Sequence, residues 1–200
     1  LQGSSTVALS GATWNFSTKP VGSNATFGAV KDLDTSNQLV TFIPDVVGTY
    51  VIEFGSNGDV ALITINSAVY WGVEGGPVSC KTCHQNVINN IPDVYNTWIN
   101  TGHASDTKKA FDGELSSHFG VSCMPCHSTG YDVNASNDGF DDFPFVFPTV
   151  FQPGMYDSLS VLYPDAMGRA NIQCEACHGP GSNHLSAIDQ SKIDMSVSAE

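Results

Sequence analysis

Two hundred residues with 20 acids against 7 bases, a formal charge of −13, present a surface that repels phosphate backbones and so excludes nucleic acid as a partner. The apolar share of 41% supports a core but a lean one, and no run of about eighteen apolar residues is present to span a membrane as a helix. The chain opens Leu1-Gln2-Gly3 without a charged and apolar leader, so any export signal is expected to have been removed already.

Residues 1–72 hold no cysteine and no histidine, and they read as short strands. The runs 39–43, 49–54 and 60–65 are rich in β-branched and aromatic residues, and turn formers such as Gly55-Ser56-Asn57-Gly58-Asp59 separate them. Such spacing predicts an antiparallel β-sandwich. Within it, Phe42-Ile43-Pro44-Asp45-Val46-Val47-Gly48-Thr49-Tyr50 resembles the corner of immunoglobulin-like and PKD-like modules. The resemblance spans about residues 2–67 and implies a packing or adhesion module. Asp45 and Gly48 would shape its turn, Tyr50 would begin a strand as a tyrosine corner, and Trp14 would be the core tryptophan.

Residues 73–200 change character. Helices are expected over Pro92–Asn100, opened by the proline, and from a Ser105 cap through Leu115. Residues 129–165 read as loop, thick with Phe140, Phe143, Phe145, Phe147, Phe151 and Tyr156. A stretch this irregular is not expected to cohere on its own side chains, so something large and apolar is expected to fill the middle.

Three times the chain writes C-x-x-C-H: Cys80-Lys81-Thr82-Cys83-His84, Cys123-Met124-Pro125-Cys126-His127 and Cys174-Glu175-Ala176-Cys177-His178. Two thiols on one helical turn can add to the two vinyl groups of a haem, while the adjacent imidazole meets the iron. A lone C-x-x-C would suit a thioredoxin-like redox pair, and paired ones a zinc ribbon. Here gaps of 39 and 47 residues separate the pairs, a histidine follows each at once, and no cysteine lies outside them. Three covalent haem c groups are therefore expected.

Six histidines match the six axial positions of three irons: His84, His127 and His178 in the motifs, with His103, His118 and His184 left to close the other faces. Bis-histidine ligation is the expectation throughout. Met155 and Met167 are the other axial candidates, though methionine more often fills gaps, and Met124 is poorly placed inside a binding loop. His184 follows His178 by six residues, at most about 20 Å of chain. Reaching the far face of the same macrocycle would consume all of that, so His184 is expected to serve another haem, in this chain or a neighbouring one.

At these residues the chain resembles a family of multihaem c-type cytochromes. Trp98-Ile99-Asn100-Thr101-Gly102-His103-Ala104 resembles their W-x-x-[ST]-G-H-A segment, and Cys174 through His184 resembles C-E-x-C-H-G-P-G-S-x-H. That branch includes tetrahaem carriers of nitrification and subunits of extracellular cytochrome filaments. The resemblance covers residues 80–184 and implies that His103 and His184 are distal ligands; His118 corresponds less clearly to a motif position. Three motifs rather than four depart from the family's common arrangement.

The expected architecture is α+β and multidomain, a β-sandwich over 1–72 and a loop-rich, short-helical trihaem domain over 73–200. The expected function is extracytoplasmic, periplasmic or extracellular, electron transfer. Its partners would be redox proteins or extracellular acceptors, or further copies in a filament with haem-to-haem contacts. The acidity, −3 over residues 1–72 and −10 over 73–200, suits solubility outside the cell and, more sharply, docking to basic redox partners. The rival is a reductase of a small nitrogen or sulfur oxyanion at one open haem. Asp132–Gly139 has some features of a Ca²⁺ loop, but Asn137 stands where glycine belongs and Phe143 where glutamate belongs, and an acidic turn is the plainer reading. Asn15, Asn24 and Asn134 begin N-x-S/T sequons.

Overall fold

The computed structural model describes residues 1–87, 91–115 and 118–193. Its contacts divide the chain into two compact units, Leu1–Ser67 and Ala68–Glu200. Two small antiparallel sheets and a series of short helices make the chain α+β and loop-rich.

The first unit contains β1 (Gln2–Ser4), β2 (Thr13–Thr18), β3 (Lys31–Asp34), β4 (Asn37–Leu39), β5 (Gly48–Ser56) and β6 (Asp59–Ser67), in two three-stranded sheets ordered β1-β4-β3 and β2-β5-β6. β5 and β6 meet in a two-residue hairpin, with Ser56 opposite Asp59 and both Asn57 (φ 57°) and Gly58 (φ 87°) in the left-handed region that such a turn demands. The run 39–43 departs from expectation. β4 stops at Leu39, and Phe42 makes only an isolated bridge to Phe27, because its ring is drawn into a cluster instead. Phe16 stacks on Phe27 at 4.1 Å, and Phe42 meets Phe16 and Tyr50 edge-on or tilted. Tyr50, Ile52 and Phe54 alternate inward along β5 and are buried, as the strand period requires.

The Tyr50 hydroxyl lies 2.9 Å from the Val46 carbonyl and accepts the Val46 N–H at 3.1 Å. Asp45 anchors the same turn, accepting from the Ser23 hydroxyl and the Asn24 N–H at 2.6 Å each. The Ser23 hydroxyl, with the Asn24 N–H and Tyr50 behind it, outweighs desolvation and holds the Asp45 carboxyl at about 2.

The second unit contains α1 (Cys80–His84), α2 (Tyr95–Trp98), α3 (Asp106–Phe111), α4 (Met124–His127), α5 (Met155–Leu162), α6 (Pro164–Met167), α7 (Cys174–His178) and α8 (Ser182–Ala187). Two helices are shorter than the sequence predicts. α2 is a single turn, and Pro92 lies three residues ahead of it. α3 ends at Phe111, where Gly113 turns left-handed (φ 77°) after the Asp112 cap. Ser105 does precede α3, but its hydroxyl donates to the Thr101 carbonyl at 3.1 Å and leaves the helix uncapped by a side chain.

The stretch 129–165 departs from the expected loop by forming α5 and α6 near its end. Phe111 is fully buried and lies 5.6–6.3 Å, ring centre to ring centre, from Phe119, Phe145, Phe147 and Phe151. Phe145 and Phe147, two residues apart, both reach it, as one face of an extended chain allows. The aromatic rings of the loop pack on one another, with Phe140, Leu159 and Met167 buried in the same cluster and Met155 packed against it.

Candidate functional site

Each C-x-x-C-H motif forms a separate helical turn. Cys80, Cys83 and His84 lie on α1, whose first turn is capped by the Ser79 hydroxyl accepting the Thr82 N–H. Cys123 ends a 3-10 turn that runs into α4 with Cys126 and His127. Cys174, Cys177 and His178 lie on α7. In each case, positions i, i+3 and i+4 share one side of the turn, so both thiols and the imidazole can face one planar group. All six thiols are free.

One buried stretch, Asn171-Ile172-Gln173, ties the three motifs together. The Asn171 N–H donates to the carbonyl of His127 at 3.0 Å, in the second motif. The Gln173 side chain accepts the Val73 N–H at 2.6 Å, and the Val73 carbonyl in turn takes the N–H of Lys81, inside the first motif. Gln173 is itself the residue that precedes α7. Ile172 donates its N–H to the carbonyl of His103 and receives the Trp98 indole N–H at 2.9 Å, which fixes the segment carrying His103. Thr107 closes the network: its hydroxyl donates to the His127 carbonyl at 2.6 Å, and its N–H to the Asn171 side chain at 3.0 Å.

The first cysteines of the first and third motifs are neighbours. The hydrogen bond between their sulfurs, reinforced by burial, pushes the Cys80 thiol up, while the same bond draws the Cys174 thiol down. Two cysteines 94 positions apart in sequence are therefore neighbours.

The histidines differ in their surroundings. His84 Nδ1 lies 3.3 Å from the Pro92 carbonyl, and His184 Nδ1 lies 3.0 Å from the Asp189 carbonyl. A carbonyl only accepts, so in both rings Nδ1 is the donor and Nε2 is the nitrogen left for a metal. The Nδ1 of His127 is buried without a partner, its ring edge-on to Phe119 at 5.3 Å. His178 is half-buried, whereas His103 and His118 are exposed. Among the described residues no three His, Cys, Asp or Glu side chains converge as a metal cluster. A haem iron does not need one, since the macrocycle supplies four nitrogens and the protein at most two ligands.

Two open spaces lie within this unit, the second of them bordering the second motif at Met124. One of about 340 Å³ is bordered by Val73, Trp98, Tyr156, Met167 and Gln173. The other, of about 190 Å³, is walled by Met124, Tyr131, Phe140, Phe145 and Phe147. Paired thiols on one helical turn with an imidazole beside the second are the donor set that a covalently held haem requires, and on that chemistry the residues fit the group. The Asp132–Gly139 loop behaves as an acidic turn. Asp132 Oδ1 accepts the Asn134 N–H, Asp141 the Asp132 N–H and Asp142 the Asn137 N–H.

Glu175, inside the third motif, did not stand out in the sequence. It is buried, and its carboxylate gathers the N–H groups of Trp71, Gly72 and Gly181 at 2.6–3.1 Å. Gly72 is required there, with φ at 84° and the Gly168 carbonyl where a Cβ would stand. An acid set between the two cysteines of a C-x-x-C-H turn was the available signal.

The family model for cytochrome c554 and c-prime matches residues 79–145. The match takes in the first two motifs with His103 and His118, and stops before the third. It supports a c-type cytochrome, with covalently bound haem c and electron transfer as its work. Cytochromes of this type typically work outside the cytoplasm, and no helix among the described residues is long and apolar enough to cross a membrane. No curated protein and no solved structure matches the chain.

Proposed function

We propose that the chain carries electrons through three c-type haems, joined at Cys80/Cys83, Cys123/Cys126 and Cys174/Cys177, and that His84, His127 and His178 hold the irons on one side with His103, His118 and His184 on the other. The observation that carries this reading is the repetition of one helical turn, two thiols and an imidazole, three times around a single hydrogen-bonded stretch at 171–173. When bound, haem supplies one-electron exchange through its exposed edge, and two imidazoles favour a lower potential than a methionine–histidine pair.

The protein's own part is positional. The Asp189 and Pro92 carbonyls engage Nδ1 of His184 and His84 and leave Nε2 as the nitrogen for an iron. The adjoining sulfurs of Cys80 and Cys174 support a short internal relay, since two groups attached from neighbouring points are held close. The first unit, on this reading, is an immunoglobulin- or PKD-like packing module, supported by the Tyr50–Val46 corner and by a ring cluster that serves no chemistry. A relay this short serves either soluble redox partners or a filament of like subunits outside the cell.

The reductase reading keeps one observation in its favour: His103 and His118 are exposed, and an iron whose second histidine stays in solvent is open to an oxyanion. One preparation separates the readings. Intact mass is expected to show three added haems per chain, and EPR only low-spin signals. A high-spin component moves the assignment to the reductase, and a bare polypeptide mass ends both.

A further inference from the structure

Glu175 occupies an unusual place. It lies between the two attachment cysteines of the third motif on one five-residue helix, and only 1% of it is exposed. Among the described residues its hydrogen-bond partners are all donors: Trp71 N–H to both oxygens at 3.0 and 3.1 Å, Gly72 N–H at 2.7 Å and Gly181 N–H at 2.6 Å. An acceptor-only group with three backbone donors is a carboxylate. The ion pairs of the described residues are Lys81–Glu74, Lys108–Asp112 and Lys108–Asp157, so no cation neutralises it by contact. Arg169 is an opposing charge that feels it, but that guanidinium is held by the carbonyls of Tyr70 and Asp138.

Burial makes such a charge effective. A unit charge that water cannot screen acts over several ångströms far more strongly than one at the surface. Reduction of a ferric site to ferrous adds one electron from the titrant and so lowers the local positive charge, and a fixed anion nearby opposes that step. We propose that Glu175 is a buried anion that sets the reduction potential of the haem at Cys174/Cys177 below the value the same site would have without it. This inference rests on the haem reading above.

A structural role alone has a different signature, and Ser182 supplies the control. Its hydroxyl accepts the Val69 N–H at 2.9 Å and so tethers the same 69–72 segment without any charge. The experiment compares Glu175→Gln and Ser182→Ala with the parent by spectroelectrochemical titration of the full haem-loaded chain, after a haem count by mass. In Glu175→Gln one transition is expected to move to higher potential while the others stay. In Ser182→Ala the thermal midpoint is expected to fall while every transition stays. If Glu175→Gln does not accumulate folded, Arg169→Gln takes its place, and the same transition is expected to move lower because the opposing cation is gone. Three haems with transitions that superpose on the parent in the variant tested overturn the inference alone. A chain without haem overturns it together with the function on which it rests.

Discussion

The N–H of Asn171 donates to the carbonyl of His127 at 3.0 Å, so the residue that leads into the third motif holds the last residue of the second. Asn171 adopts a left-handed conformation (φ 70°) to do so, and its side chain also accepts the Thr107 N–H and donates to the Tyr156 hydroxyl. Three motifs scattered over a hundred residues become one site through such bonds rather than through continuous secondary structure.

Asn171→Ala removes two side-chain hydrogen bonds and places a Cβ-bearing residue without a polar side chain in the left-handed region. The expected loss is about 2–4 kcal/mol of stability, each buried bond contributing about 1 kcal/mol and the backbone conformation the remainder. Denaturant unfolding of the haem-loaded chain measures it, and a loss below about 1 kcal/mol would show that the strap is not what joins the motifs.

Phe111→Ala empties the centre of the aromatic cluster. The four phenylalanine rings around it cannot all collapse inward, so a cost of about 3–5 kcal/mol is expected. Thermal unfolding followed in the near ultraviolet reads the change. An unaltered midpoint would mean that the loop at 140–151 is organised by something other than its own rings.

Asp45 gives the first unit an acid-sensitive corner. Its folded-state value is about 2 against an ordinary 3.8, so between these values the folded chain binds fewer protons than the unfolded one. Its stabilising contribution is therefore complete above about pH 4 and lost as the pH falls through about 2. Asp45→Asn is expected to flatten the acid limb of the unfolding curve in that window and leave its shape near neutrality alone, which circular dichroism along a pH series tests. Identical acid limbs would remove the corner from the account.

The distal histidines make the sharpest spectroscopic test. Replacing His103, His118 or His184 singly by alanine is expected to leave three haems attached while one of them changes from low spin to high spin. EPR of each variant reports this directly. A variant that stays wholly low-spin identifies a histidine that ligates nothing in this chain.

The proposed attachment residues stand out in the sequence because covalent attachment is a local demand. Two thiols three residues apart and an imidazole beside the second must be adjacent in sequence to meet one macrocycle, so Cys80–His84, Cys123–His127 and Cys174–His178 announced themselves before any fold was known. The turn within Gly55–Asp59 was equally plain, because its residues are turn formers set between two β-rich runs.

The rest depended on partners distant in the chain. Nothing local joins Gly72 to Glu175 across 103 residues, or Val73 to Gln173 across 100, yet these bonds set where the first and third motifs lie. The same holds for the aromatic loop, which looked unable to organise itself until Phe111 was placed at its centre. Sequence alone determined which atoms can bond a haem, because that chemistry is fixed by spacing along a single turn. Tertiary structure alone decided which motifs adjoin and which acid is buried among them, because backbone donors and packed rings find their partners through space.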